Sequence, residues 1–168
     1  NGMVGEDDPV ELLEGWLVTK MSKNSPHRIT TRLTRGELER HLPDAYYVDT
    51  QEAIEAIDSM PEPDVMVIKG QPRDYPDEPP EAKFVLLVVE VSDSSLRRDR
   101  IVKQRIYAAA GIPIYWIINL IDKVIEVYTN PVPNEKRYAE ITSYDETSSA
   151  PLVIDGKTIA HITVKDLL

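Results

Sequence analysis

The 168-residue chain has no cysteine, one phenylalanine and only seven glycines. Without cysteine, disulfides and thiolate metal sites are excluded, and a reducing compartment is compatible. The longest purely apolar run, Phe84 to Val89, is six residues, far below the ~20 that cross a bilayer. No charged-then-apolar leader opens the sequence, so no secretory signal and a cytoplasmic location are expected. Asn1-Gly2 ahead of Met3 reads as an expression remnant, and residues 1–9 are expected to be that remnant or disordered. Positive charge is in short supply: 19 Lys and Arg stand against 29 Asp and Glu, a net charge of −10. That argues against a dispersed basic surface coating nucleic acid, while leaving a local basic patch open. No glycine-rich phosphate loop, zinc spacing or nucleophile elbow is present. Gly70, Gly111 and Gly156 stand alone, and His41 and His161 have no partner at ligand spacing. P-loop, Rossmann and serine-hydrolase chemistry therefore have no support. The length suits one domain, 1–168, large enough to bury a core.

What is present is a chain punctuated by 13 prolines. Val10 to Met21 reads as a helical turn followed by a short strand around Trp16-Leu17-Val18. Ser25-Pro26 has the N-cap and first-turn chemistry of a helix running to Pro43, with Ile29, Leu33, Leu38 and Leu42 near helical spacing. Tyr46 to Ile57 reads as extended, with Tyr46, Val48, Ile54 and Ile57 inward. Asp64 to Ile68 is a short apolar strand, and Lys69 to Ala82 a proline-rich acidic loop. Phe84 to Val91 (FVLLVVEV) is apolar except for Glu90, the signature of a strand buried on both faces. A helix from Ser94 or Ser95 to Ala110 stops at Gly111 and Pro113. Ile114 to Asn119 and Lys123 to Thr129 follow as a hairpin, then short strands near Tyr138 to Thr142, Pro151 to Ile154 and Thr158 to Ile162. This order predicts an α/β domain with a mixed central sheet flanked by helices.

Three anomalies carry chemistry. Glu90 interrupts an apolar strand, where an ionised carboxylate costs several kcal/mol unless compensated. It either lies at the strand's open mouth, pairs with an arginine, or serves as a metal ligand or catalytic acid. Alternation sets it beside Phe84, Leu86 and Val88. Asp99 and Lys103 fall inside the apolar arc of the second helix, formed by Leu96, Val102, Ile106, Ala109 and Ala110. As i,i+4 partners they share one exposed edge or point at the sheet. Asp64 starts its strand after Pro63, which alone marks only a turn. Two carboxylates from adjacent strands with a lysine beside them make a hard oxygen site for Mg²⁺ or Mn²⁺ and a cation, suited to phosphodiester hydrolysis.

Pro63-Asp64, Glu90-Val91-Ser92, Asp99, Lys103 and the run Tyr107-Ala-Ala-Ala-Gly111-Ile-Pro-Ile-Tyr115-Trp116 resemble the Uma-type restriction endonucleases of the PD-(D/E)XK nuclease superfamily. Glu11-Leu-Leu-Glu14-Gly15, Met21-Ser22 and Pro26-His27 are similar to that family's opening. The resemblance covers about Val10 to Thr129 and, more loosely, the rest. It implies a restriction-endonuclease-like fold, Asp64 and Glu90 as metal ligands with the Val91 carbonyl as a third oxygen, and Lys103 in the catalytic lysine's role. Ser92 stands where the superfamily's simplest pattern has that lysine. Glu11 resembles the acidic residue of the first element, and Asp99 would orient Lys103 and hold it charged. His27, just inside the first helix, could touch a phosphate or a metal-bound water, or be ordinary surface. Glu81-Ala82-Lys83 is a literal E-x-K, but it lies at the outer end of the strand. Sites gather at C-terminal strand ends in open α/β sheets.

The expected function is a metal-dependent DNA endonuclease. The rival is a nuclease-fold dimer that no longer cuts and serves as a binding or regulatory module, supported by the net charge of −10 and by Ser92. An enzyme on small phosphorylated metabolites is a third option. Arg28, Arg32, Arg35 and Arg40 mark the first helix, and Arg97, Arg98, Arg100 and Arg105 the second. They form either solvated faces or a positive rim favouring transient contact with DNA. A homodimer is expected, with Lys123 to Thr129 and Trp116 offering its surface.

Overall fold

A computed structural model describes residues 9–168. The expectation for the N-terminus thus lies outside the described residues, except at Pro9, whose carbonyl accepts from Lys20 N at 2.7 Å. Ten strands appear. Val10–Leu13 (β1) and Trp16–Thr19 (β2) form a hairpin, followed by helix Ser25–His41 (α1). Tyr46–Asp49 (β3), Val65–Lys69 (β4), Val85–Ser92 (β5), Ile114–Asn119 (β6), Val124–Val132 (β7) and Arg137–Asp145 (β8) make a six-stranded sheet in that order. Ser149–Ile154 (β9) and Lys157–Thr163 (β10) form a second hairpin. The large sheet is mixed: β5 and β6 are parallel and every other neighbouring pair is antiparallel.

The parallel pair needs a crossover, and the helix at 96–109 (α2) supplies it. It runs as Leu96–Arg98, a π turn Asp99–Lys103 and Gln104–Ala109. Gly111, at φ +72°, ends it by taking a left-handed conformation that costs a glycine little. Both sheet faces are covered. Val89, Val91, Trp116 and Ile118 share one core with Leu38 of α1 and Leu152 of β9, whereas Met66, Val88, Ile117 and Tyr115 share the other with Ile106 and Tyr107 of α2. No described helix is long and apolar enough to cross a membrane.

Several expectations are corrected. Residues 10–13 are a strand, not a helical turn, because Glu14 and Gly15, both at positive φ, close a two-residue hairpin. Asn24, not Ser25, caps α1, its Oδ1 accepting from His27 N at 3.0 Å. Ile29 and Leu33 are exposed, while Thr30, Thr31, Thr34 and Leu38 are buried. The five-residue step from Leu33 to Leu38 breaks the helical stripe, and the face that turns inward is the one carrying His27. Ile57 is exposed, whereas Ile54 is buried. Leu86 packs in the core opposite to that of Val88 because the β4–β5 ladder shifts register between Val67 and Ile68. Trp116 is fully buried and β7 lies inside the sheet, so neither offers a dimer surface.

Candidate active site

The β4–β5 ladder pairs Val65 with Val89, and one step further sets Asp64 opposite Glu90. Residues so placed have Cβ atoms about 5 Å apart. Asp64 is pinned there by its Oδ2, which accepts from Val91 N at 2.9 Å and lies 3.0 Å from His27 Nε2. Lys23 Nζ lies 3.4 Å from Oδ1. In a strand the N–H and C=O of one residue point to the same edge. The Val91 carbonyl therefore points to the edge that β4 has vacated, while the Ser92 carbonyl accepts from Leu120 N on the β6 side.

Glu90 faces α2. Its Oε1 accepts from Lys103 Nζ at 2.8 Å and from Tyr107 OH at 2.6 Å. Lys103 Nζ also meets Glu11 Oε2, from β1, at 3.0 Å. Glu11 Oε2 in turn accepts from Glu62 N at 3.2 Å. The hairpin that carries Glu11 is tied to α2 by Arg105, which donates to both carboxylate oxygens of Glu14 at 3.0 and 2.7 Å. Glu11, Asp64, Glu90 and Lys103 are each 4–5% exposed. All four line one cleft of about 140 Å³, with Lys20, Lys23 and Arg98 also on its wall.

Burial pushes the Glu90 carboxyl up to about 8, with Lys103 pulling it down and Asp99, Asp64 and Glu11 pushing it further up. Burial works against the Lys103 ammonium, but Glu90 and Glu11 outweigh it and hold the group charged well above the usual lysine range. Asp64 goes the other way from Glu90. Burial opposes its ionisation, yet His27, the Val91 N–H and Lys23 together hold it below the usual carboxylate range. Two neighbouring acids are thus driven apart in proton affinity.

Asp99 and Lys103 do turn toward the sheet, but they are not ion-pair partners. Asp99 Oδ2 instead accepts from Ser92 Oγ and Ser95 Oγ, both at 2.6 Å, so its direct orientation of Lys103 is corrected. The backbone hydrogen bond spanning the π turn runs from Gln104 N to Asp99 O. Ser92 therefore serves as a ligand of Asp99. Glu81 and Lys83 pair with each other on the surface, away from the cleft. Of the arginines, Arg35, Arg40, Arg100 and Arg105 are engaged by carboxylates, and Arg98 reaches the cleft while donating to Thr19 O. The positive rim is therefore smaller than two full clusters; Lys20 and Lys23, which sequence reasoning missed, join the cleft wall, each already paired with an acid, Lys20 with Glu62 and Lys23 with Asp64. Tyr107 was missed as well. Its place one residue past Ile106 on an inward arc was the available signal.

Residues 3–163 match the family Uma2, described as "Putative restriction endonuclease". The chain belongs to the Uma2 family. With it comes association with the PD-(D/E)XK nuclease superfamily. No curated protein matches the sequence. The Uma2 chain is similar in fold to a crystal structure described as a putative nuclease belonging to DUF820 from Anabaena variabilis. The TM-score is 0.71 and the identity 18%, covering 98% of this chain and 92% of that one. Among the described residues, no three His, Asp or Glu side chains form a cluster able to hold a metal ion by themselves.

Proposed function

We propose that this Uma2 chain is a metal-dependent DNA endonuclease that works as one domain, 1–168, and as a homodimer. The observation that supports it best is the convergence of Asp64, Glu90, Glu11 and Lys103 on one small cleft. Among the described residues, Glu90 Oε2 accepts no hydrogen bond and Asp64 Oδ1 meets only Lys23 Nζ at 3.4 Å, whereas their partner oxygens each accept or face two groups. The open Glu90 Oε2, the outward Asp64 Oδ1, from which Lys23 would have to swing away, and the Val91 carbonyl fit Mg²⁺ or Mn²⁺, which take one or two protein carboxylates and fill the rest of the shell with water and phosphate oxygens. A divalent cation held there would polarise the scissile phosphate and make a bound water acidic.

The protein's own groups do the rest. Lys103 is held charged, so it acts as an electrostatic stabiliser of the phosphate oxygens and not as a base. Glu11 and Tyr107 fix the Lys103–Glu90 pair from two sides. His27 and the Val91 N–H orient Asp64, and Asp99, held by Ser92 and Ser95, anchors the π turn from which Lys103 projects. Lys20, Lys23 and Arg98 face the phosphates flanking the cut.

A second reading, the non-cutting dimeric module, draws support from the Lys103 ammonium, already neutralised by Glu90 and Glu11. Supercoiled plasmid incubated with Mn²⁺ separates the two. The nuclease reading expects relaxed or linear product that disappears in Glu90→Ala and Lys103→Ala. A folded dimer that fails to cut with any divalent metal supports the module instead.

A further inference from the structure

We infer that two copies of this chain associate through β8, pairing antiparallel about Ile141 so that two six-stranded sheets join edge to edge. The inference deepens the homodimer proposed above and is independent of whether the cleft cuts DNA. Among the described residues, β8 closes one side of the sheet with nothing paired to its outer edge. It is nine residues long, against four for β3 at the opposite edge. Residues 139–143 are exposed on both faces, and Ile141 is 59% exposed. Long open edges of this kind are ordinarily blunted by lysine, proline or a covering element, because their unpaired N–H and C=O groups recruit another strand. β8 has no lysine and no proline, and its charged residues, Arg137, Glu140 and Asp145, are of mixed sign.

The strand's sequence, RYAEITSYD, is complementary to itself when antiparallel. Centring a two-fold axis on Ile141 stacks Ile141 on its own copy. The same register places Ala139 opposite Ser143, Glu140 opposite Thr142, and Arg137, which within the chain pairs with Glu135, opposite Asp145. The outer pairs thus bring opposite charges together twice, and no like charges face each other directly. An isologous interface requires this kind of self-complementarity, and cross-strand pairs of opposite charge or apolar character stabilise a ladder. The competing surface is the apolar patch of Trp16, Leu17, Ile57 and Met60 around the β1–β2 hairpin, all exposed. It carries no comparable two-fold pattern.

Light scattering across a concentration series tests the assignment, with circular dichroism to verify folding. Wild type is expected to dimerise, and amides within 139–143 to gain protection from hydrogen exchange as concentration rises. Ile141→Lys, which sets two ammonium groups face to face, should weaken the dimer roughly tenfold or more, equivalent to about 1.4 kcal/mol. Arg137→Asp should weaken it too, and the double variant Arg137→Asp/Asp145→Arg should restore it. A monomeric wild type at all concentrations overturns both the dimer and its surface. A dimer indifferent to Ile141→Lys but dissolved by Trp16→Ser overturns the β8 surface alone.

Discussion

Replacing Lys103 by methionine is expected to abolish cleavage and to destabilise the fold by about 3–5 kcal/mol, the usual cost of stripping one partner from a buried ion pair. Lys103 is the cation shared by Glu90 and Glu11, both nearly sealed from water. Methionine fills similar volume but leaves two carboxylates facing each other without compensation. The penalty depends on pH in a defined direction. With the ammonium gone, the Glu90 carboxyl holds its proton more tightly still, and in the protonated form little charge is left to compensate. Urea unfolding should therefore show a deficit that is nearly constant between pH 5 and 8, where both folded chains keep the Glu90 proton, and that grows above pH 8, where only wild type releases it. Equal stability of variant and wild type at pH 8 would show that Lys103 does not neutralise the acids.

Glu90→Gln should do the opposite to stability while also removing cleavage. The Glu90 carboxyl is raised to about 8 in the folded chain from an ordinary value of 4.5. Below 4.5 both folded and unfolded chains carry the proton, and its contribution to stability is fully present. As pH rises through the interval up to about 8, the folded chain retains a proton that the unfolded chain has released. Stability therefore falls across that interval. At 1.36 kcal/mol per pKa unit the loss is at most about 5 kcal/mol. Glutamine keeps an oxygen to accept from Lys103 and Tyr107 but cannot ionise, so the variant should match wild type near pH 4.5 and exceed it by about 2–5 kcal/mol at pH 8. A wild-type midpoint that does not decline between pH 5 and 8 contradicts the assignment of a strained, poorly solvated acid.

Much of this site was legible because its members break local patterns. Glu90 stands out in an apolar run, and Asp99 and Lys103 stand out in the apolar arc of α2, since burial of charge is costly enough to require a reason. The strands β5 and β6 were legible from their almost wholly apolar character, and the mixed sheet from the alternation of strands and helices around them. Other parts obeyed local rules and so left no mark. Tyr107 looks like core until its hydroxyl is placed on Glu90, and Lys20 and Lys23 look like ordinary loop lysines. The rotation of α1 follows a polar face of His27 and three threonines, which apolar spacing could not reveal. β1 and β2 were readable in principle from Glu14-Gly15, whose left-handed pair closes a tight hairpin. The exchange of Asp99's expected lysine partner for Ser92 and Ser95 depends on where the end of β5 lies against α2, a tertiary placement that helical stepping does not contain.

The joint holding of a divalent cation by Asp64 and Glu90 is the claim on which the nuclease reading stands. Calorimetric titration of Mn²⁺ into wild type and Asp64→Asn at pH 8, with Glu81→Gln as control, tests it without reference to cutting. One Mn²⁺ should bind wild type and the control alike, and at least tenfold more weakly to Asp64→Asn, in line with the loss of one of two charged ligands. Equal Mn²⁺ affinity in wild type and Asp64→Asn would contradict the account.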